Sequence, residues 1–292
     1  MQKPFPQKIS SQEVEPQSMS EASMRQVQNA HYPLVCTRLN AATGTHPGIS
    51  RKHKPNEDSL FALHGSQTWQ DDIQPFGLFV IADGMGGHAC GQEASLLATR
   101  MTSNTIVPML LGNAELGHNA LFDLLRESVR RANDTIYHHN RQQNANMGTT
   151  LMSALLVGST AYIANVGDSR TYLYREQTFT QVTRDHSVVA RLVEACVITP
   201  DEAYTHPKRN QLYRNIGEHP EVEVDLFTVS LQSGDKLLLC SDGLWEMVHE
   251  PEIQHIMGTP AAEPSHTVDT LIRAALKGGG RDNVSVIVVL AQ

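Results

Sequence analysis

Apolar runs broken by Gly, Pro, Asn and Asp mark out the elements of this chain from about Tyr32 onward. Leu34 to Leu39 predicts a first strand, and Leu60 to Leu63 and Phe76 to Ala82 predict two more. The last of these is a buried run that ends in Asp83 and glycines. Two helices follow. Residues 92–107 carry Ala94, Leu97, Ala98 and Met101 near helical spacing, and residues 117–141 carry Leu121, Leu124, Leu125, Val129 and Ile136 on one face. Pro108 and the Gly112-Asn113 linker are expected to separate them.

Strands then come quickly at Thr149 to Val157, Ala161 to Val166, Thr171 to Tyr174 and Thr178 to Thr183. Spacers as short as Gly158-Ser159 and Glu176-Gln177 predict antiparallel hairpins. A short helix, Val188 to Ala195, leads into a region punctuated by Pro200, Pro207 and Pro220. Val222 to Val229, Lys236 to Cys240 and Val284 to Leu290 read as strands, with a helix near His266 to Leu276. This order lacks βαβ alternation and favours an antiparallel sandwich flanked by helices. Residues 1–30 are polar and read as a disordered tail, leaving 31–292 as the folded domain.

Composition changes the picture little. At 292 residues the chain can bury roughly 75% of its unfolded surface, so it needs no staple to fold. A net charge of −8 argues against a nucleic-acid surface. Cys36, Cys90, Cys196 and Cys240 show no CxxC spacing, so reduced thiols are expected. The N-terminal segment has no apolar signal region and no stretch is long enough to span a bilayer, which predicts a cytoplasmic protein.

The candidate chemistry lies in acidic residues at strand edges. Asp83-Gly84-Met85-Gly86-Gly87-His88 follows a buried strand, where a carboxylate and close-approaching carbonyls suit a hard cation. Alone, it equally fits a glycine-rich turn with an Asp cap. Ser241-Asp242-Gly243 ends another apolar strand, and Gly278-Gly279-Gly280-Arg281-Asp282-Asn283 precedes a third. Asn56-Glu57-Asp58 follows the basic run Arg51-Lys52-His53-Lys54, which by itself fits a solvated loop.

In series these pieces resemble the metal-dependent protein phosphatases of type 2C, particularly the compact bacterial members. Met147-Gly148-Thr149-Thr150, Asn165-Val166-Gly167-Asp168-Ser169-Arg170 and Thr183-Arg184-Asp185-His186-Ser187 extend the resemblance, which runs from about Thr45 to Leu290. It implies an α+β fold: a four-layer α-β-β-α sandwich of two antiparallel sheets flanked by helices. It also implies two Mn2+ or Mg2+ ions. Asp83 would bridge both, and Gly84 would offer its backbone carbonyl. Glu57 would serve one ion, Asp242 and Asp282 the other, and Asp58 would act through bound water. Hydroxide bridging the ions would attack phosphoserine or phosphothreonine, with Arg51 gripping the phosphoryl oxygens.

Three departures from the family pattern bear on the site. The family's phosphate-binding Arg stands three residues before the Asn56 position, where this chain has His53. An insertion of Lys54-Pro55 would bring Arg51 into that role; otherwise His53, Lys52 or Lys54 shares it. Met85 stands where some members carry a His proposed as general acid, and His88 does not inherit that place. Asn144-Ala145-Asn146 lacks the Asp that helps hold a third ion in bacterial relatives, leaving a third, weaker ion with Asp242 and Asp185 as candidates.

Asp168 and Arg170 read as structural. Ser187 to about Gly217 resembles the family's flap beside the active site. The expected partners are phosphorylated proteins and a cognate Ser/Thr kinase, with no nucleic acid and no membrane, and a monomer is the expected state. A non-catalytic adaptor would predict losses at Asp83, Asp242 or Asp282, and none is lost. Activity confined to small phosphoesters stays open.

Overall fold

In chain order the elements begin with strands β1 (Leu39–His46), β2 (Asp58–Trp69) and β3 (Asp72–Met85) and helices α1 (Ala89–Leu111) and α2 (His118–Gln143). Next come β4 (Gly148–Thr149), β5 (Leu151–Val157), β6 (Thr160–Val166), β7 (Arg170–Arg175) and β8 (Thr178–Gln181). Two short helices, α3 (Val188–Glu194) and α4 (Pro200–Ala203), precede β9 (Asp225–Ser230) and β10 (Lys236–Cys240). Helices α5 (Asp242–Trp245), α6 (Glu250–Met257) and α7 (Pro264–Lys277) lead to β11 (Val284–Ala291). The computed structural model describes residues 36, 38–69, 72–86, 89–112, 116–260 and 262–292. The expected tail, residues 1–30, and Gly87-His88 lie outside the described residues.

One sheet has the order β1-β11-β10-β7-β8, and the other β2-β3-β5-β6-β9 with β4 continuing on β3. Every pairing is antiparallel. The central strands are apolar on both faces because both faces are covered. In β3, Leu78, Val80 and Ala82 pack with residues of α1 and α2, whereas Phe79 and Ile81 face the space between the sheets. In β10, Leu237 and Leu239 fill that same middle layer, and Leu238 and Cys240 pack against α5, α6 and α7. Three apolar layers therefore separate four layers of structure, as the family resemblance implies.

Several boundaries differ from the sequence reading. The first strand runs from Leu39 rather than ending there, with Leu34, Val35 and Thr37 outside the described residues. Its Ala, Thr and Gly residues hide the strand signal, but the site needs small residues: a Cβ on Gly44 would lie 2.6 Å from side-chain atoms of both Ile272 and Val268. Pro108 lies within α1 instead of ending it. One lost N–H near the C-terminus is tolerated because Leu110 beyond it is buried in the core. The expected strand at 149–157 is split at Thr150, and α6 was not anticipated. Strand β8 stops at Gln181 and β9 begins only at Asp225; Val222 and Val224 instead pack against the core without joining the sheet.

Candidate active site

The two sheets bring their acidic edges to one end of the sandwich. Asp58 opens β2 opposite Asp83 on β3, where they are register partners. Ser241 follows β10 and donates its amide to the Ser285 carbonyl of β11 at 3.0 Å. The Ser241 hydroxyl donates to Asp58 Oδ2 at 2.8 Å and accepts the Ser285 amide at 3.0 Å. A single buried hydroxyl thus ties Asp58 of one sheet to the strand ends of the other. Sequence reading missed this role, although Ser241 stands directly beside Asp242.

The backbone of Asp83 is fixed by the break between β4 and β5. Thr150 Oγ1 accepts the Asp83 amide at 2.9 Å, while Thr149 Oγ1 and the Thr150 amide both donate to the Asp83 carbonyl at 2.9 Å. The sequence reading makes these threonines a strand start; instead Thr149 closes β4 and Thr150 stands in the break before β5, where both brace the Asp83 backbone. Gly84 donates its amide to the Glu57 carbonyl at 3.1 Å. A Cβ there would lie 2.0 Å from the Gly91 carbonyl oxygen, so only glycine fits between β2 and the start of α1.

Asn283 anchors the third edge. Its Oδ1 accepts the Glu57 amide at 2.8 Å and its Nδ2 donates to the Pro47 carbonyl at 3.0 Å. Loop 47–57 is thereby held against Asp282. Arg51 donates through Nη2 to Glu57 Oε2 and through Nη1 to Asp282 Oδ1. Lys52, His53 and Lys54 are exposed. Of the four basic positions, Arg51 alone is turned into the acidic site.

The carboxylates repel one another strongly. Desolvation and then the charges of Asp58, Asp242, Asp168 and Asp282 hold the Asp83 carboxyl well above its ordinary range. Desolvation, followed by Asp168, Asp282 and Glu246, does the same to Asp242. Asp58 is pushed up to about 6 by burial, against the opposing hydrogen bonds from Ser285 and Ser241. Glu57 Oε1, Asp58 Oδ1 and Asp242 Oδ1 are buried without a hydrogen-bond partner. Such oxygens need a proton or a cation.

Among the described residues, no three His, Cys, Asp or Glu side chains converge as an open cage. Here Arg51 stands between Glu57 and Asp282. The chemistry of the donors nevertheless fits hard divalent ions: unpartnered carboxylate oxygens, excess negative charge and a carbonyl beside glycine.

The remaining candidates lie around this centre. Asp168 is buried and pushed up to about 7, chiefly by burial and then by Asp185. Besides making its turn, it adds to the field on Asp83 and Asp242. Arg170 is structural: it donates to both oxygens of Asp185 and lies 3.7 Å over the Trp245 ring. Asp185 also accepts from Gln181 at 3.0 Å, so its carboxylate is already engaged and offers little to a third ion. In the flap-like segment, Arg191 covers the Tyr213 ring at 3.5 Å, and Arg214 binds Asp225 at 2.7 Å and Glu223 at 2.6 Å.

Comparison with known proteins identifies the family. A family model described as Protein phosphatase 2C covers residues 47–277. The serine/threonine phosphatase stp of Listeria monocytogenes is 38% identical over 253 residues, which is 86% of this chain and 95% of that protein. The crystal structure of the catalytic domain of the serine/threonine protein phosphatase PstP, in complex with two manganese ions, is 34% identical. It superposes with a TM-score of 0.72 over 86% of this chain and 97% of its own. The serine/threonine phosphatase Stp1 from Staphylococcus aureus gives a TM-score of 0.74 at 32% identity, over 90% of this chain and 99% of its own. By this family match and these identities over most of its length, the chain belongs to the protein phosphatase 2C family.

Proposed function

We propose that the chain is a metal-dependent protein-serine/threonine phosphatase that hydrolyses phosphoserine and phosphothreonine on other proteins. The observation that carries this reading is the meeting of Asp58, Asp83, Asp242 and Asp282 at one end of both sheets, with unpartnered buried oxygens among them. Glu57, Asp83, Asp242 and Asp282, with the Gly84 carbonyl, would hold two Mn2+ or Mg2+ ions. Such ions, when bound, offset the charge that would repel a phosphomonoester and acidify water for attack on phosphorus.

The chain's own residues supply the rest. The planar fork of Arg51, which here pairs with Glu57 and Asp282, would match two phosphoryl oxygens once released from them. Asp58 is oriented by Ser241 at Oδ2, which leaves Oδ1 to take a proton from water. Thr149 and Thr150 hold the Asp83 backbone in register while charge shifts around it. The physiological counterpart would be a Ser/Thr kinase. A cytoplasmic monomer is part of the same reading, and no helix among the described residues is long and apolar enough to cross a membrane.

The test is phosphate release from a phosphothreonine peptide by metal-stripped protein, with and without manganese. Release only with manganese, lost in Asp83→Asn, supports the reading. Folded protein that releases none under either condition overturns it.

A further inference from the structure

A cleft of about 760 Å³ opens between the segment carrying α3 and α4 and the helices α5 and α6. Its walls are largely apolar: Val189, Ala190 and Val193 on one side, and Pro200, Tyr204 and Trp245 on the others. Its floor is preformed. Arg170 is clamped by Asp185 at 2.7 Å and stacked 3.7 Å from the Trp245 ring, and the Trp245 indole donates to the Asp168 carbonyl at 3.1 Å. Clefts of roughly 300–1,000 Å³ with apolar walls and a few fixed polar groups are where side chains and small ligands bind.

The position of the cleft relates it to the acidic centre. Trp245 ends the single turn of helix that Asp242 begins. At about 1.5 Å rise per residue, the two lie within roughly one extended substrate residue or two of each other along that turn. The charges around the cleft are unbalanced. Five carboxylates line it against three guanidiniums. Arg170 is already paired with Asp185, and Arg209 approaches Glu246 at 4.0 Å. Glu194 and Asp201 remain exposed at the mouth.

We propose that this cleft is a docking subsite for the substrate protein, taking a leucine- or phenylalanine-sized side chain one to three residues from the phosphorylated residue, with a Lys or Arg beside it. The apolar walls receive the side chain, and the carboxylates at the mouth receive the cation. The subsite rests on the phosphatase reading and gives it a substrate class.

Three phosphothreonine peptides test it, each made with the pair of interest on either side of the phosphoresidue. One carries Leu-Lys, one Gly-Lys and one Leu-Glu, with an aryl phosphate as the small control ester. The Leu-Lys peptide is expected to exceed both others by roughly ten-fold or more in kcat/KM, the scale of one apolar group in a fitted pocket. Ala190→Trp, which fills the cleft, and Val193→Asp, which charges its wall, should each erase the preference for the Leu-Lys over the Gly-Lys peptide while leaving aryl phosphate turnover unchanged.

Equal turnover of the three peptides by the native protein, with the aryl ester hydrolysed, overturns the subsite and leaves the phosphatase reading standing. A Leu-over-Gly preference that survives both variants overturns it as well. Failure to hydrolyse either kind of ester overturns the phosphatase reading and the subsite together.

Discussion

The Arg51 guanidinium is paired with Asp282, which lies 231 residues further along the chain, and at the same time with Glu57. Both are proposed metal ligands. This cation offsets part of the repulsion among the site's carboxylates, and ions held by Glu57 and Asp282 would compete with it for them. Arg51→Ala should therefore destabilise metal-stripped protein by about 2 kcal/mol, the scale of hydrogen bonds to charged groups. With manganese, the melting temperature should return close to the native value, while kcat/KM on a phosphopeptide falls roughly 10²-fold for loss of the phosphate clamp. Thermal melts in chelator and in manganese check the first part. An unchanged melt in chelator would show that the pairing contributes nothing to the metal-free protein.

Asp242 presents the opposite balance. Its carboxyl is held well above the ordinary range by desolvation and by Asp168, Asp282 and Glu246. At neutral pH its ionised form therefore costs stability in the metal-free fold. Asp242→Asn should raise the melting temperature in chelator, shrink the further rise produced by manganese, and remove most activity. Isothermal titration with manganese provides the independent readout, and native affinity in the variant would rule out Asp242 as a ligand.

The fold was legible where burial covers both faces of a strand. Leu237-Leu238-Leu239-Cys240 reads as a strand because its alternate residues fill two different apolar layers. The site was legible where the carboxylates stand at the ends of such runs, as Asp83 and Asp242 do. What escaped the sequence depends on contacts distant in the chain. Ser241 acquires its role only because Asp58, 183 residues away, meets its hydroxyl. Asp168 looks like a turn residue until the fold places its charge near Asp83. Strand β1 is hidden because residues such as Gly44 are small to admit α7, which removes the apolar signal that marks other strands.

His186 makes the fold sensitive to acid away from the carboxylates. Its Nδ1 accepts the Gly167 amide at 3.0 Å, which assigns the neutral ring's proton to Nε2, where Asp225 Oδ2 lies at 3.3 Å and Arg214 Nη1 at 3.0 Å. Burial and the Arg214 cation push its pKa down, outweighing Asp225 and Asp185. The unfolded chain takes up a proton below about 6.5, whereas the folded chain resists it. The stability contributed by the neutral ring is therefore present above that pH and is lost as pH falls. The destabilisation caused by His186→Gln should be largest at pH 8 and shrink at pH 5.5. Urea midpoints of both proteins at the two pH values measure it, and a penalty independent of pH would contradict the neutral-ring assignment.

Gly84 joins stability and chemistry in one residue. Its proposed role is to present a carbonyl to metal, and its missing side chain permits that position. An added Cβ would meet the Gly91 carbonyl oxygen at 2.0 Å and the Glu57 carbonyl oxygen at 2.7 Å. Both obstacles are backbone, so no side-chain rotation relieves them. Either α1 must shift at its start or the Glu57-Asp58 edge must move, and the second displaces two site carboxylates. Gly84→Ala should therefore cost roughly 1–3 kcal/mol or more, as overpacking does, and lower activity well beyond the loss of folded protein. Gly158→Ala is the control. Its φ of +58° disfavours a side chain, but nothing lies within 4 Å of the added Cβ. It should cost about 1–2 kcal/mol from backbone conformation alone and leave specific activity intact. Specific activity per folded molecule, taken from unfolding curves and turnover on one preparation, separates the two. If both variants retain native turnover, close packing at Gly84 does not position the site. If Gly84→Ala alone loses turnover, the glycine is required by the geometry that Asp83 and Glu57 share.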